Sequence, residues 1–445
     1  MKIYVAGAGA GKTTALAKHI IELREKTDIH KILYCITFTN NAVACIKKKL
    51  LEHYATIPIN IIVSTIHSFL YNEFIKPYYF LLYKKQYAKI SVSELPNTPQ
   101  FKNAKLSRLD HQNILHQTDI PQKAKFVICK KSSDNKKIIQ KRKVILNKFY
   151  DYCGAICIDE AQDIDDNIFE IIKQFKAIGI ELLLMGDPKQ DLWGTECFKK
   201  LIDEYKDYVE YLEICHRCPQ CHIEISNRIV SDLEKQISHK KEGAIHVYFE
   251  SKINCDELIK SQQYDLKYIS SKRDGFDTHK NNSININQLN LEEEIENVLK
   301  DLYPFKSSVT LKRISQYFAE GLIKIYFKSG DKKKAMAKVF SNINLEKKNY
   351  GIIINAIPEH ENKSTIETVT VSSIDSIKGQ EGQKCLFILT TDLASYLFQS
   401  NKKANKTKNH LYVALTRSLD ILDIYITRKV EEIYSKEMIL SFFNF

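Results

Sequence analysis

The chain has 445 residues, with 66 Lys and Arg against 54 Asp and Glu, a formal net charge of +12. At 44% hydrophobic and 27% charged residues it has an ordinary globular composition, which excludes collagen, low-complexity sequence and wholesale disorder. The length predicts roughly three domains, and no apolar run approaches the ~20 residues of a membrane span.

The N-terminus lacks the long apolar stretch of a secretory signal. Eleven cysteines are too sparse for a disulfide scaffold, so a reducing, cytoplasmic location is expected. The positive balance permits a polyanionic partner. Only nine of the 66 basic residues are Arg, so each arginine merits inspection as something more than a solubilising charge.

In chain order, residues 3–5 read as a strand, 13–24 as a helix, 31–38 as a strand, 41–53 as a helix and 61–64 as a strand. This rhythm implies a parallel sheet covered by helices. At 70–150 the pattern changes: Tyr and Phe cluster at 71–87, and 123–148 carries ten Lys and Arg against the single acid Asp134. The sheet pattern returns at 155–158 and 180–185. A second α/β rhythm follows, with strands expected at 208–214, 244–249, 266–270, 351–354, 369–371 and 384–389. Helices are expected at 292–302, 307–327 and 332–339. The fold class is α/β, two parallel-sheet cores, each interrupted once.

Two motifs carry chemistry. Ala6-Gly7-Ala8-Gly9-Ala10-Gly11-Lys12-Thr13, followed by Thr14, leaves a strand and opens a helix, the setting of a phosphate-binding loop. Backbone N–H groups and the helix N-terminus cradle phosphates there. Lys12 is expected on the β/γ-phosphates and Thr13 on Mg²⁺. Ile156-Cys157-Ile158-Asp159-Glu160-Ala161-Gln162-Asp163 delivers two carboxylates at a strand's C-terminal end, where ligands bind parallel sheets. Asp159 is expected to complete the Mg²⁺ site and Glu160 to orient or deprotonate the attacking water. Arg217 and Arg417 lie in the second core, where an arginine reaching the γ-phosphate supplies transition-state charge.

With these residues in place, the chain resembles the superfamily 1 helicases of the UvrD/PcrA/Rep group, in the family's motif order. Ala6–Thr13 resembles motif I, Ile36-Thr37-Phe38-Thr39-Asn40-Asn41-Ala42 motif Ia, and Ser64-Thr65-Ile66-His67-Ser68-Phe69 motif Ib. Asp159 to Asp163 resembles motif II, Gly186-Asp187-Pro188-Lys189-Gln190 motif III, and Leu212 to Cys218 motif IV. Ser373 to Glu381 resembles motif V and Tyr412-Val413-Ala414-Leu415-Thr416-Arg417 motif VI.

The resemblance implies two RecA-like motor domains, at 1–70 with 151–206 and at 207–275 with 351–445. A basic insertion at 71–150 and a reduced one at 276–350 would complete the chain. It implies ATP hydrolysis with Mg²⁺ and 3′–5′ translocation on single-stranded or tailed duplex DNA. Gln190 would sense the γ-phosphate, Arg217 and Arg417 would be finger arginines, and Glu381 would contact the ribose. Phe38, Thr39, Asn40, Thr65, His67, Ser373 and Lys378 would line the strand track. The compact length is similar to that of the helicase-like subunits of Gabija antiphage systems, which accompany a nuclease, so a nuclease partner is a second expectation.

The departures are specific. The family's upstream glutamine motif has no counterpart before Ala6, so other nucleoside triphosphates stand beside ATP. His216 sits where an adenine-stacking Tyr is usual, and Asp375 replaces a customary His. Trp193, the only Trp, either stacks on bases or is a core residue. Cys215-His216-Arg217-Cys218-Pro219-Gln220-Cys221-His222 has metal-like spacing, but Cys218 as a helix N-cap with Pro219 at the first helical position explains it better. Lys136 to Lys143 is read as a nucleic-acid contact, with a solvated helix face or contact with an acidic partner as the alternatives, and 402–408 as a flexible basic loop without a role.

Overall fold

A computed structural model describes the chain apart from residues 97, 272–275, 279–283, 359–368, 399, 402, 404, 444 and 445. Two compact units emerge. Met1–Ala88, Gln117–Thr278 and Val369–Phe445 form the first; Lys89–His116 and His279–Thr368 form the second.

The first unit holds two six-stranded parallel sheets and a short parallel pair, Ile214–Cys215 with Ile237–Ser238. In one, β1 (Lys2–Ala6), β2 (Ile32–Thr37), β3 (Ile61–Thr65), β4 (Cys153–Ile158), β5 (Glu181–Gly186) and β6 (Val209–Leu212) lie in the order β3-β2-β4-β5-β1-β6. The inner strands are near-continuous apolar runs because both faces are covered, whereas Val209–Leu212, expected to open the second core, is a half-exposed edge strand of this sheet, paired with β1. On one face, Leu16 and Ile20 of the helix Lys12–Lys26 and Ile46 and Leu50 of the helix Asn40–Leu51 meet Leu33 and Cys35. Tyr34, between them in the strand, points the other way. It enters a buried aromatic cluster with Phe69 and Phe149, which Phe74 and Phe175 join.

That cluster divides the expected insertion at 71–150. The helices Lys76–Tyr83, Ile120–Ile128 and Lys136–Tyr152 belong to the first unit, because Phe74 and Phe149, both wholly buried, are part of its core. Only Lys89–His116 joins the second unit.

The other sheet is built from β7 (Ala244–Phe249), β8 (Leu266–Ile269), β9 (Phe276–Thr278), β10 (Val369–Ser373), β11 (Gly382–Leu389) and β12 (Ser418–Ile426), in the order β7-β12-β11-β8-β10-β9. β12 was not anticipated from sequence. It lies inside the sheet and buries Leu422, Ile424 and Ile426 in alternation.

The second unit is mainly helical, with Ile284–Leu302, Ser308–Ser329, Lys332–Val339 and Lys347–Ala356 around Leu291, Ile295, Leu299, Leu322 and Ile353. The strand expected at 351–354 is therefore incorrect. A short apolar run does not distinguish strand from buried helix, and here Ile353 and Ile357 turn inward at helical spacing. Two short strands, Lys89–Ser91 and Ile114–His116, and the helix Pro99–His111 complete the unit. Glu294, buried, clips this segment to the long helix through Lys105 Nζ at 2.9 Å and an Arg108 guanidinium nitrogen at 2.6 Å. The Asn-rich 279–283 lies outside the described residues, as do Lys402 and Ala404 of the expected basic loop.

Candidate active site

β1 ends at Ala6 and releases the chain into the glycine loop. Gly9 and Gly11 take φ values of 70° and 74°, a left-handed backbone that glycine adopts without a Cβ penalty. The helix then starts at Lys12, with Thr14 in its exposed first turn. Lys12 Nζ folds back on the loop, 3.3 Å from the Ala6 carbonyl and 3.4 Å from that of Gly7. Thr13 Oγ1 donates to Asp159 Oδ2 at 3.1 Å.

Asp159 follows β4 and is wholly buried, its N–H donating to the Ile36 carbonyl at 2.8 Å. Its carboxyl is pushed up to about 7, first by burial and then by the Glu160 charge, against the pull of Lys12. Glu160 has φ 55°, a conformation that costs a non-glycine residue about 1–3 kcal/mol and marks functional turns. Its N–H caps Asp159 Oδ1 at 3.0 Å, and Gln162 Nε2 donates to its carboxylate. Burial raises the Glu160 carboxyl, but the Lys12 charge, the Gln162 hydrogen bond and the Lys378 charge outweigh it, and the net shift is downward. The hydroxyl of Thr13 and the buried carboxylate of Asp159 are hard oxygen donors already in contact, the donor type that Mg²⁺ takes. They fit that ion and would hold it.

β5 leads into Asp187, wholly buried, which Lys189 Nζ meets at 3.1 Å and Gln190 Nε2 at 2.8 Å. Gln190 is thus oriented by Asp187, whose own N–H donates to Gln162 Oε1 of the acidic motif at 3.0 Å. Burial raises the Asp187 carboxyl, yet the Lys189 and Lys12 charges hold it below its usual value.

The stretch that follows β6 reaches this site directly. The His216 N–H donates to the Gly9 carbonyl at 2.8 Å, and a Cβ on Gly9 would lie 2.4 Å from Arg217 Cβ. Arg217 thus stands against the glycine loop. Its Nε is 2.7 Å from Glu381 Oε2, an ion pair in which that N–H finds no aligned hydrogen-bond acceptor. Glu381, expected at a ribose, is therefore the countercharge of Arg217. Arg417 is almost fully buried, its Nε donating to the Val413 carbonyl at 3.1 Å and another nitrogen to that of Gln380 at 3.3 Å. Burial and the neighbouring Arg217 charge lower its pKa.

The residues expected on a nucleic-acid track lie at strand ends. Phe38 follows β2, and Thr39 caps the next helix by accepting from the Ala42 N–H at 3.2 Å, with Asn40 exposed beside it. Thr65 ends β3 and accepts from the Ser68 N–H at 3.3 Å. The His67 pKa is lowered by burial, with Asp165 opposing. Ser373 ends β10 and accepts from the Ser376 N–H at 3.3 Å. Lys378 is ion-paired with Asp163 of the acidic motif. Trp193 is 78% exposed, which removes the core alternative.

Two sequence readings need correction. Cys218 is not the N-cap: the helix is Gln220–Asn227 with Pro219 at the cap. Cys218 is buried, its N–H turned to Cys215 Sγ at 3.4 Å, and His222 Nε2 is 3.1 Å from the Ala244 carbonyl. In the basic run, Arg142 is not a surface contact. It is buried against Asp134 at 2.6 Å and donates to the Phe126 carbonyl at 2.9 Å, the Val127 carbonyl at 3.1 Å and the Tyr83 hydroxyl at 3.1 Å. Residues beyond the sequence reading also reach the loop: Gln236, which no motif marked, and Tyr412, which was placed in a motif without a role.

The fold and site define a helicase-like nucleotide-binding chain: a phosphate loop and an acidic pair on one parallel sheet, Arg217 just beyond that sheet's last strand, and Arg417 at the start of a strand of the other. Residues 1–195 match the family model described as an AAA domain. The chain is similar to the Gabija protein GajB of Bacillus cereus (strain VD045), 29% identical over 249 residues, covering 54% of this chain and 48% of that protein. It therefore spans about half the length of the curated relative it matches. Among solved structures it is similar to the arterivirus nonstructural protein 10 helicase with DNA, at TM-score 0.36 and 11% identity, covering 100% of this chain and 63% of that one. The PRRSV helicase matches at TM-score 0.33 and 10% identity, over 95% and 52% of the two chains.

Proposed function

We propose that this chain is a DNA-dependent NTPase that couples ATP hydrolysis to 3′–5′ translocation on single-stranded DNA. The observation that carries this reading is the contact of Thr13 Oγ1 with Asp159 Oδ2 at 3.1 Å, formed where Lys12, Glu160 and Arg217 converge on one glycine loop. Mg²⁺, when bound, would neutralise charge on the β/γ-phosphates. Lys12 would leave the loop carbonyls for the phosphates. Glu160, its carboxyl held low, is ionised and able to take a proton from the attacking water. Arg217, already against the loop, would exchange Glu381 for the γ-phosphate, so that nucleotide draws the two cores together. Arg417 lies deeper, and its place at the γ-phosphate would require release from the Val413 and Gln380 carbonyls. His216, beside the loop, would stack on the base.

The test is hydrolysis by the full chain with single-stranded DNA or RNA at equal salt, for ATP and other nucleotides. Stimulation by DNA, abolished in Lys12→Ala and in Glu160→Gln, is the expected result; retained turnover in either variant overturns the assignment. Translocation toward the 5′ end is read from displacement of a roadblock on end-labelled DNA.

The similarity to GajB favours a second reading, in which the NTPase senses DNA and regulates a partner nuclease in antiphage defence without processive unwinding. Co-purification with a nuclease, and hydrolysis without unwinding of a tailed duplex, would select it.

A further inference from the structure

We infer that Gln236 and Tyr412 are positioning residues that latch the glycine loop to the second core, so that nucleotide affinity depends on the placement of that core. This rests on the nucleotide-site reading above.

The latch is a closed ring of three hydrogen bonds around one residue, Ala8. The Ala8 N–H donates to the Tyr412 hydroxyl at 2.9 Å, that hydroxyl donates to Gln236 Oε1 at 3.0 Å, and Gln236 Nε2 donates to the Ala8 carbonyl at 3.3 Å. Each proton is used once. Turning the Gln236 amide over would set its oxygen against the Ala8 carbonyl, so the ring fixes one orientation. Ala8, Gln236 and Tyr412 are all buried, at 0%, 3% and 2% exposure, which leaves water no way to replace a missing member.

The second core grips the loop by shape as well. The Ala8 side chain is part of the apolar cluster of that core, with Ile377, Leu411 and Tyr412. The Gln236 amide lies so close that a Cβ on Gly7 would be 2.1 Å from its Oε1. Gln236 is itself anchored, its backbone exchanging hydrogen bonds with the Asn227 side chain at 2.9 and 2.8 Å. These contacts use the Ala8 N–H and carbonyl and leave the N-terminal amides of the following helix for phosphate. The same tyrosine ring lies 5.0 Å from Lys189 Nζ, which is paired with Asp187. A shift of the second core, whether by nucleotide or by nucleic acid, therefore acts on the loop through Ala8.

The experiment measures affinity for a fluorescent ATP analogue, together with hydrogen exchange across residues 7–11, in Tyr412→Phe, Gln236→Leu and the double variant of the full chain. Tyr412→Phe removes one oxygen and keeps the ring. Each single change should weaken binding roughly 5- to 100-fold, the range for an unmade buried hydrogen bond. The double should match the weaker single within about twofold, because both act on one residue through one ring of hydrogen bonds. Exchange across the loop should rise even without nucleotide. Tyr268→Phe, which removes a buried hydroxyl that donates to the Ala414 carbonyl at 2.7 Å in the same core, should leave affinity and loop exchange unchanged. Equal losses in Tyr268→Phe, or additive losses in the double variant, would overturn the latch. Lys12→Ala separates the two ideas. If it binds nucleotide like the unmodified chain, the nucleotide-site reading fails. If it loses binding while Tyr412→Phe and Gln236→Leu keep it, only the latch fails.

Discussion

His410 Nε2 lies 3.0 Å from Asp375 Oδ1, and its Nδ1 lies 2.7 Å from the Lys406 carbonyl. Both partners are acceptors, so both ring nitrogens must donate, and only the imidazolium can do so. Burial works against protonation, but the Asp375 hydrogen bond, the Lys406 carbonyl and the Asp375 charge outweigh it, and the pKa is raised. Asp375 is correspondingly lowered, chiefly by the His410 hydrogen bond.

A raised folded pKa gives stability that is complete below the ordinary histidine value of about 6.5 and is lost as pH rises through the folded value. The urea midpoint should therefore fall between about pH 6 and pH 9, and fall less in His410→Gln. Parallel pH profiles for the two proteins would show that the pair does not titrate with folding.

Arg142 gives the second prediction. Its guanidinium and Asp134 are buried together with three further acceptors around it. Truncating one member of such a pair strands the other charge, at about 3–5 kcal/mol. Arg142→Ala should lower stability by that order in denaturant titration. Lys143→Ala, on the same helix, should change it by less than about 0.5 kcal/mol, as surface changes do. Equal stability of the two variants would refute the burial argument.

How far the site was legible in sequence follows from what each residue does. Lys12, Thr13, Asp159 and Glu160 act where a strand ends and a helix or turn begins, so local spacing is enough to place them. Gln236 reaches Ala8 across 228 positions, and no local pattern encodes that meeting. The fold shows the same division. Strands buried on both faces were readable as apolar runs, whereas Gly351 to Ile354 was misread because four apolar residues carry no period. Arg142 was read by its charge in a basic run. Its partner Asp134, the one acid in that run, was visible, but its burial was not.

The second unit depends on Glu294. This carboxylate is buried and accepts from Lys105 at 2.9 Å and Arg108 at 2.6 Å, drawing Lys89–His116 onto the helix Ile284–Leu302. Glu294→Ala leaves two cations facing each other without their anion, so a loss of about 3–5 kcal/mol is expected for this unit. Limited proteolysis should cut first within 89–116, while nucleotide affinity stays within about twofold. Unchanged protection of 89–116 would show that other contacts, among them Ser91 with Glu293 and the Glu94 N–H with Asn290 Oδ1, hold the segment without Glu294.

Trp193 is held out to solvent by a rigid turn. Asp191 Oδ1 accepts from the Trp193 N–H at 3.1 Å and the Gly194 N–H at 2.7 Å, and Oδ2 from the Glu196 N–H at 2.8 Å. Asn409 of the second core donates to the Asp191 carbonyl at 2.9 Å. The indole is thus preorganised on a loop that both cores hold, which lowers the entropic cost of stacking on a base. Trp193→Ala should weaken single-stranded DNA binding by about 1–3 kcal/mol and leave the melting temperature nearly unchanged, since so exposed a side chain buries little surface. Because no other Trp exists in the chain, quenching of its fluorescence by DNA reads the contact directly in the unmodified protein. Asp191→Ala should lose both binding and stability, since three backbone N–H groups lose their acceptor. DNA binding without quenching, and without loss in Trp193→Ala, would place the strand elsewhere.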